Sequence, residues 1–335
     1  MAADDGKVLL GHGSGGKLMH ELIRGVMVRE FSGDAAAKLL DSATLRLRGQ
    51  KIAFTTDTYV VKPLFFPGGD IGKLAVCGTI NDLCVVGATP LFLSCGLVIE
   101  EGLEMSVLRK VIRSMQRTAE NAGVKIVTGD TKVVEKGSCD GLFVNTAGVG
   151  FARKFLDGEI RAGDEILVSG TVGDHGMAIM AAREDFGLET KLQSDCAPVN
   201  GLLERLKPFF SHIRLMRDPT RGGLATVLNE FVEGAAVGIL LDEDSIPIRK
   251  EVAALSELLG LDPLYIANEG RVVIVCSRGT GEALVKRMRL HPLGRRSIVI
   301  GKVVPDYPGK VCMRTKAGGT RILDMLVSDQ LPRIC

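Results

Sequence analysis

Apolar and polar residues along the first half of the chain switch repeatedly between a period of two, which marks strands, and a period near 3.6, which marks helices. Residues 51–61 mix β-branched and aromatic residues with polar ones and predict a strand that carries Asp57 and Thr58. Asp70 stands directly before a long apolar run and predicts the N-cap of a helix over 71–86. A second strand is expected over 90–98. Over 104–121 the apolar positions Leu108, Val111, Ile112, Met115, Ala119 and Ala122 follow the i, i+3, i+4, i+7 spacing of an amphipathic helix, closed by Gly123. Two more strands are expected over 125–134 and 141–151.

Gly158, Gly163 and several charged residues then separate two apolar blocks, which predicts a domain boundary within 153–163. Beyond it the pattern predicts strands over 165–169, 271–276 and 298–304, and helices from Gly173-Asp174-His175-Gly176 through Arg183 and over 198–210, 223–234, 250–259 and 281–290. Helices layered on mixed or antiparallel sheets make the fold class α+β rather than a doubly wound nucleotide-binding sheet. The expected division is a first domain over 1–153, a second over 154–320 and a flexible tail over 321–335, free to pivot at Gly318-Gly319 and stiffened by Pro332.

Composition narrows the function classes. A chain of 335 residues is long enough for two cores, and 46% hydrophobic with 24% charged residues is ordinary for a globular protein. A formal net charge of +2 leaves no basic footprint for nucleic acid or a membrane surface. No run of ~20 apolar residues is present and the N-terminus carries no signal-peptide core, so the expected location is the cytoplasm. The eight cysteines include no C-x-x-C pair, which argues against a zinc finger or ribbon.

The candidate chemistry lies in carboxylates at irregular places. Asp41, Asp57, Asp130 and Asp218 stand beside Ser, Thr, Pro or Gly at strand ends and turns, and Asp82 lies among Ile80, Leu83, Cys84, Val85 and Val86 in an apolar helix. Burying a carboxylate there is costly without a cation. Several such groups from separate segments suit Mg²⁺, which takes oxygen ligands together with substrate phosphates. Asp218-Pro219-Thr220-Arg221-Gly222-Gly223 reads as a tight turn before a helix, with Asp218 toward a metal and Arg221 toward an anion. Gly11-His12-Gly13-Ser14-Gly15-Gly16-Lys17 has the composition of a phosphate-wrapping loop without P-loop spacing. His175 reads as a helix-start residue held by local hydrogen bonds. The last residue, Cys335, places a thiol on an extendable end that could be modified by another protein and swung back into a cleft.

Thr55-Thr56-Asp57, the run from Phe65 to Ala75, Asn81-Asp82-Leu83, Thr128-Gly129-Asp130-Thr131-Lys132-Val133, Arg217 to Gly223, Asn268-Glu269-Gly270-Arg271 and the ending Leu331-Pro332-Arg333-Ile334-Cys335 together span nearly the whole chain. In these motifs the chain resembles the HypE family of hydrogenase-maturation proteins, within the PurM-like (aminoimidazole-ribonucleotide synthetase-like) superfamily of ATP-dependent enzymes. One departure is Ser328-Asp329-Gln330, where tails of that family usually have a Gly-Glu pair.

The resemblance implies a two-domain PurM-like architecture: a first domain that pairs with its twin in a homodimer and a second that covers the nucleotide. It implies ATP and Mg²⁺ as cofactors, with Asp41, Asp57, Asp82 and Asp218 on the metal and phosphates, and Lys73, Asn81, Asp130, Thr131 and Arg221 on the nucleotide. The implied reaction starts when a partner, HypF, carbamoylates Cys335. ATP then phosphorylates the carboxamide oxygen, phosphate leaves with a proton from nitrogen, and the resulting thiocyanate passes its cyano group to a HypC-HypD complex for the iron of [NiFe]-hydrogenase. Lys132 would stabilise the transferred charge and Glu269 would take the proton. The rival readings are a PurM-like synthetase or kinase acting on a free small molecule, and a carrier that presents the thiol without catalysis.

Overall fold

The computed structural model describes residues 7–13, 16–28, 40–183, 190–326, 331, 334 and 335. Ser14, Gly15, Ser328-Asp329-Gln330, Pro332 and Arg333, which figure in the sequence reading, lie outside the described residues. Seven strands precede residue 153: β1 Ala43–Leu47, β2 Gln50–Tyr59, the short pair β3 Phe65–Phe66 and β4 Gly69–Asp70, β5 Ala88–Glu100, β6 Lys125–Val134 and β7 Leu142–Ala152. Five of them form a mixed sheet in the order β1-β2-β7-β5-β6, antiparallel except for the β5–β6 pair.

The pleat sorts this sheet into two unlike faces. On β2, Ala53, Thr55 and Tyr59 are buried while Phe54, Thr56 and Thr58 are exposed, and the register opposes Phe54 to Val149 and Phe92 to Val149. The inner face is covered by the helices Ile71–Val85 and Met105–Ala122. Ile71–Val85 buries every residue except Lys73 and Asp82, as a helix between two layers must. Its N-terminus is capped by Asp70, whose Oδ1 accepts from the amides of Gly72 and Lys73 at 2.8 and 3.1 Å. Met105–Ala122 buries Val111, Met115, Thr118 and Ala119 and stops at Gly123, with φ of 70°. Ile112, expected on the buried stripe, is 39% exposed.

The second half carries β8 Glu165–Val168, β9 Ile213–Arg217, β10 Gly238–Asp242, β11 Val273–Cys276, β12 Ile298–Val304, β13 Val311–Arg314 and β14 Thr320–Leu323. They form one sheet in the order β14-β13-β10-β12-β8-β11-β9. Helices Asp174–Ala181, Gly223–Val232, Lys250–Leu259 and Gly281–Met288 accompany it. The expected helix over 198–210 is broken into Asn200–Glu204 and a 3₁₀ turn at Lys207–Phe209, because Pro208 cannot donate into a helical ladder. No helix among the described residues is long and apolar enough to cross a membrane.

The tail begins later than the sequence suggested. Gly318-Gly319 is not a free pivot but the turn of a hairpin, closed by Thr315 and Gly319, and Thr320–Leu323 pairs antiparallel with Val311–Arg314. Residues 321–323 are therefore an edge strand of the second sheet. Four alternating residues that pair with a neighbouring strand are fixed more cheaply there than left in water.

The two halves are joined through Asn81. Its Oδ1 accepts from the Val199 amide at 2.8 Å, and its Nδ2 donates to the carbonyls of Glu269 and Ala197 at 3.2 and 3.3 Å. An amide with no exposed surface and these bonds made holds backbone. Asn81 is thus a link between the domains.

Candidate functional site

The carboxylates meet where the two domains face each other. Asp82 projects from Ile71–Val85, Asp57 from the inner face of β2, Asp41 from the segment before β1, and Asp218 from the turn after β9. Asp41, Asp82 and Asp218 each offer an oxygen within 4.8 Å of the others. The Thr55 hydroxyl lies 2.7 Å from Asp82 Oδ2 and 2.9 Å from the Asp41 carbonyl. Arg217 donates to Asp41 at 3.1 Å and stands 2.9 Å from Glu230, whose other oxygen lies 3.1 Å from His20 Nε2. One guanidinium does not balance so many acids. Burial pushes the Asp41 carboxyl up to about 6 against the pull of Arg217. Asp82 and Asp218 are raised well above the usual carboxylate range, first by burial and then by the other acids around them. Asp218 Oδ2 is buried with no hydrogen-bond partner among the described residues.

That combination fits a hard cation. Oxygen ligands, carboxylates too close to ionise together and an orphaned buried oxygen are each relieved by Mg²⁺, which would be held by Asp41, Asp82 and Asp218.

Beside the cluster is a small cavity of about 40 Å³, lined by Asp57, Tyr59, Gly78, Asp218, Arg221 and Glu269 among others, and Cys335 sits in its wall. The terminal residue is thus seated among the acids, with Ile334 and Leu331 2% and 4% exposed behind it. Tyr59 donates to Asp57 Oδ2 at 3.0 Å. Gly78 gives the phenol its room, since a Cβ there would lie 2.1 Å from the hydroxyl oxygen. The charge of Cys335 is the foremost influence that raises the Arg221 guanidinium pKa, and Arg221 also donates to the Gly13 carbonyl at 2.8 Å. Gly222 and Gly223, with φ of 75° and 62°, make the turn that presents Arg221 at the start of Gly223–Val232. Glu269, 1% exposed, is pushed well up by burial and by the acids near it.

The first half of the chain, residues 39–152, matches the AIR synthase related protein N-terminal domain, and residues 161–312 match the corresponding C-terminal domain. Across its full length the chain is 49% identical to the carbamoyl dehydratase HypE of Rhodobacter capsulatus, covering 100% of both chains. The chain belongs to the HypE family. A solved structure of HypE in complex with ATP superposes with a TM-score of 0.81 at 44% identity, covering 98% of this chain and 100% of that one. A HypE-HypF complex gives 0.86 at 45% identity, covering 91% and 99%. The two-domain α+β architecture is therefore that of HypE.

Against the HypE motifs, the structure gathers Asp41, Asp57, Asp82, Asp218, Arg221, Glu269 and Cys335 at one place. It leaves others outside. Lys73 donates its ammonium to the Gly68 carbonyl at 2.7 Å, beside the helix N-terminus. Asp130, Thr131 and Lys132 lie on the edge strand β6, and Lys132 Nζ pairs with Asp130 at 2.8 Å with both side chains exposed. Register puts Asp130 opposite Gly96 and Lys132 opposite Val98, and Gly96 and Val98 oppose Asn145 and Phe143. Those positions belong to the outer face of the sheet, so within this chain the sheet separates Lys132 from Asp57. Sequence reasoning gave no role to Tyr59 and Arg217. Tyr59 was within reach of a period-two argument from Asp57, and Arg217 from its place beside Asp218. Glu230 has no sequence signal, because only the packing of Gly223–Val232 brings it to Arg217.

Proposed function

We propose that the protein is an ATP-dependent dehydratase acting on its own C-terminus in the cytoplasm: a carbamoyl group on Cys335 becomes a thiocyanate, the source of a cyano ligand for hydrogenase iron. The observation that carries this reading is the seat of Cys335 in a cavity walled by Asp57, Asp218, Arg221 and Glu269. Relatives matched over at least 95% of their own length bear the name carbamoyl dehydratase. A free small-molecule substrate would compete with the chain's own last residue for that space, and a passive carrier has no need of a buried acid cluster.

The chemistry has two steps. The carboxamide oxygen takes the γ-phosphoryl group of ATP, turning a poor leaving group into a good one. ADP leaves in that step and nitrogen gives up one of its two protons; the C–O bond then breaks, phosphate departs, and nitrogen gives up the second proton as the C≡N bond forms. Bound Mg²⁺ would neutralise phosphate charge in the first step. The residues supply the rest: Arg221 faces the anion, and Glu269, once ionised, is a strong base because its environment holds protons tightly. Glu269→Gln is expected to bind ATP normally and to dehydrate ~10²–10⁴-fold more slowly, with the phosphorylated adduct accumulating; wild-type single-turnover rates in this variant would remove Glu269 from the role.

HypF is the proposed carbamoyl donor, in line with the solved HypE-HypF complex, and a HypC-HypD complex the proposed acceptor. The outer face of the first sheet supports a homodimer. Leu45, Leu47, Phe54, Phe92 and Phe151 are large, exposed and on one side, an apolar patch of the kind that marks an interface. Asp130 and Lys132 share that face, so the partner subunit's Lys132 is the one proposed to reach the phosphates. Phe54→Glu with Phe92→Glu is expected to give a monomer in sedimentation that still accepts carbamoyl on Cys335 yet fails to dehydrate it. A double variant that stays dimeric places the interface elsewhere.

The direct test of the whole reading is intact-mass measurement after incubation with the carbamoyl-loaded partner. The carbamoyl adduct should persist without ATP and lose one water with it; an adduct that never loses water sinks the proposal.

A further inference from the structure

The segment that brings Cys335 home is held by a buried imidazole. His175, in the first turn of the eight-residue helix Asp174–Ala181, has no exposed surface. Its Nε2 lies 2.7 Å from the carbonyl oxygen of Ile334 and its Nδ1 lies 2.8 Å from Ser194 Oγ. A carbonyl can only accept, so Nε2 must carry a hydrogen. Ser194 Oγ accepts from the Cys196 amide at 3.0 Å, leaving its own hydrogen for Nδ1. Both ring nitrogens are therefore assigned and the tautomer is fixed. Phe66 meets the ring edge-on, with centroids 5.5 Å apart and an interplanar angle of 85°, which limits its tilt. Burial pushes the imidazole pKa down to about 4, so the ring is neutral at physiological pH.

We propose that His175 is a positioning residue for the reaction at Cys335: its Nε2–H, aimed by Ser194 and Phe66, grips the Ile334 carbonyl and sets the depth and rotation of the terminal residue. The hydrogen bond is made to the peptide that joins Ile334 to Cys335. Moving that peptide moves Sγ directly. The grip is to backbone, so it is indifferent to whether the thiol is free or carries a carbamoyl group, and it can act throughout the reaction. Misplacement of a reacting atom by about 1 Å can lower a rate ~10²-fold. The inference rests on the reading of Cys335 as the reacting residue.

The test compares His175→Phe, which keeps a flat ring and loses the donor, with His175→Gln, whose side-chain amide can restore one. Three quantities are measured on the full chain with wild type alongside: ATP affinity, single-turnover dehydration of the carbamoylated tail, and the alkylation rate of Cys335 by iodoacetamide. His175→Phe should dehydrate ~10–100-fold more slowly and expose Cys335 to faster alkylation, with ATP affinity unchanged, and His175→Gln should recover most of both. Ser194→Ala, which loosens the ring without removing the donor, should fall between and serves if His175→Phe does not fold. Wild-type dehydration and alkylation rates in His175→Phe, or in Ser194→Ala if that variant alone folds, overturn the inference, as does equal loss in the Phe and Gln variants. If wild type itself shows no dehydration, the function reading fails, and that outcome is distinct from these.

Discussion

A Cys335→Ala protein is expected to bind ATP as wild type does and to carry no carbamoyl group at any other position, so thiocyanate formation is lost completely. The reason lies in the other seven cysteines. Cys77, Cys84, Cys196, Cys276 and Cys312 are buried, and Cys95 and Cys139 are partly so. Burial raises the thiol pKa of Cys84, Cys95, Cys139, Cys276 and Cys312, that of Cys276 to about 12. Cys196 is raised well above the usual thiol range, chiefly by its hydrogen bond with Cys77. The thiolate is the nucleophile, and these groups stay thiols at neutral pH. Cys335 alone combines a chain end with a place in the reactive cavity. Peptide mapping that finds the carbamoyl group on Cys95 or Cys139 in the variant would end the assignment of Cys335 as the modified residue.

Asp82→Asn is expected to weaken Mg²⁺-dependent ATP binding by ~30-fold or more, since loss of one partner from a buried charged contact costs at least about 2 kcal/mol. Its effect on stability without metal should have the opposite sign. Asp41 is raised from 3.8 to about 6, and Asp82 and Asp218 are raised well beyond the usual range. A carboxyl that holds its proton more tightly in the folded state stabilises the fold fully below its unfolded pKa, and that contribution is lost as pH rises through the folded value. The metal-free wild type should therefore lose thermal stability as pH rises from about 4 upward, and Mg²⁺ should restore it at pH 8. Asp82→Asn removes one of the repelling charges, so its metal-free form should melt higher than wild type at pH 8 and gain less from Mg²⁺. Calorimetry giving wild-type affinity, or a melting temperature at pH 8 below that of metal-free wild type, would take Asp82 out of the metal site.

The sequence by itself determined the elements whose cause is local. The helix Ile71–Val85 follows from an Asp N-cap and a long apolar run, Met105–Ala122 from its 3.6 period and the glycine that ends it, and β2, β5, β6 and β7 from runs bounded by turn residues, whereas β1 escaped. It also marked Asp82, because a carboxylate inside an apolar helix has a cost that demands a partner. Short strands such as Ile213–Arg217, Gly238–Asp242 and Val311–Arg314 escaped, since four or five residues carry too little periodic signal and owe their conformation to neighbours distant in sequence. Tertiary structure alone decided which like residues do unlike things. Asp57 and Asp130 both lie on strands of the same sheet, yet the pleat turns Asp57 toward the acid cluster and Asp130 to the outer face. Asn81 and Asp82 are adjacent on one helix, yet the rotation of 100° per residue gives one to the interdomain backbone and the other to the metal ligands. His175 reads locally as a helix-start residue, and it contacts Ile334 only because the chain folds a segment 159 positions away back across it. Periodicity is a property of neighbours in sequence; a site assembled from residues between 41 and 335 depends on which faces the packing of two sheets brings together.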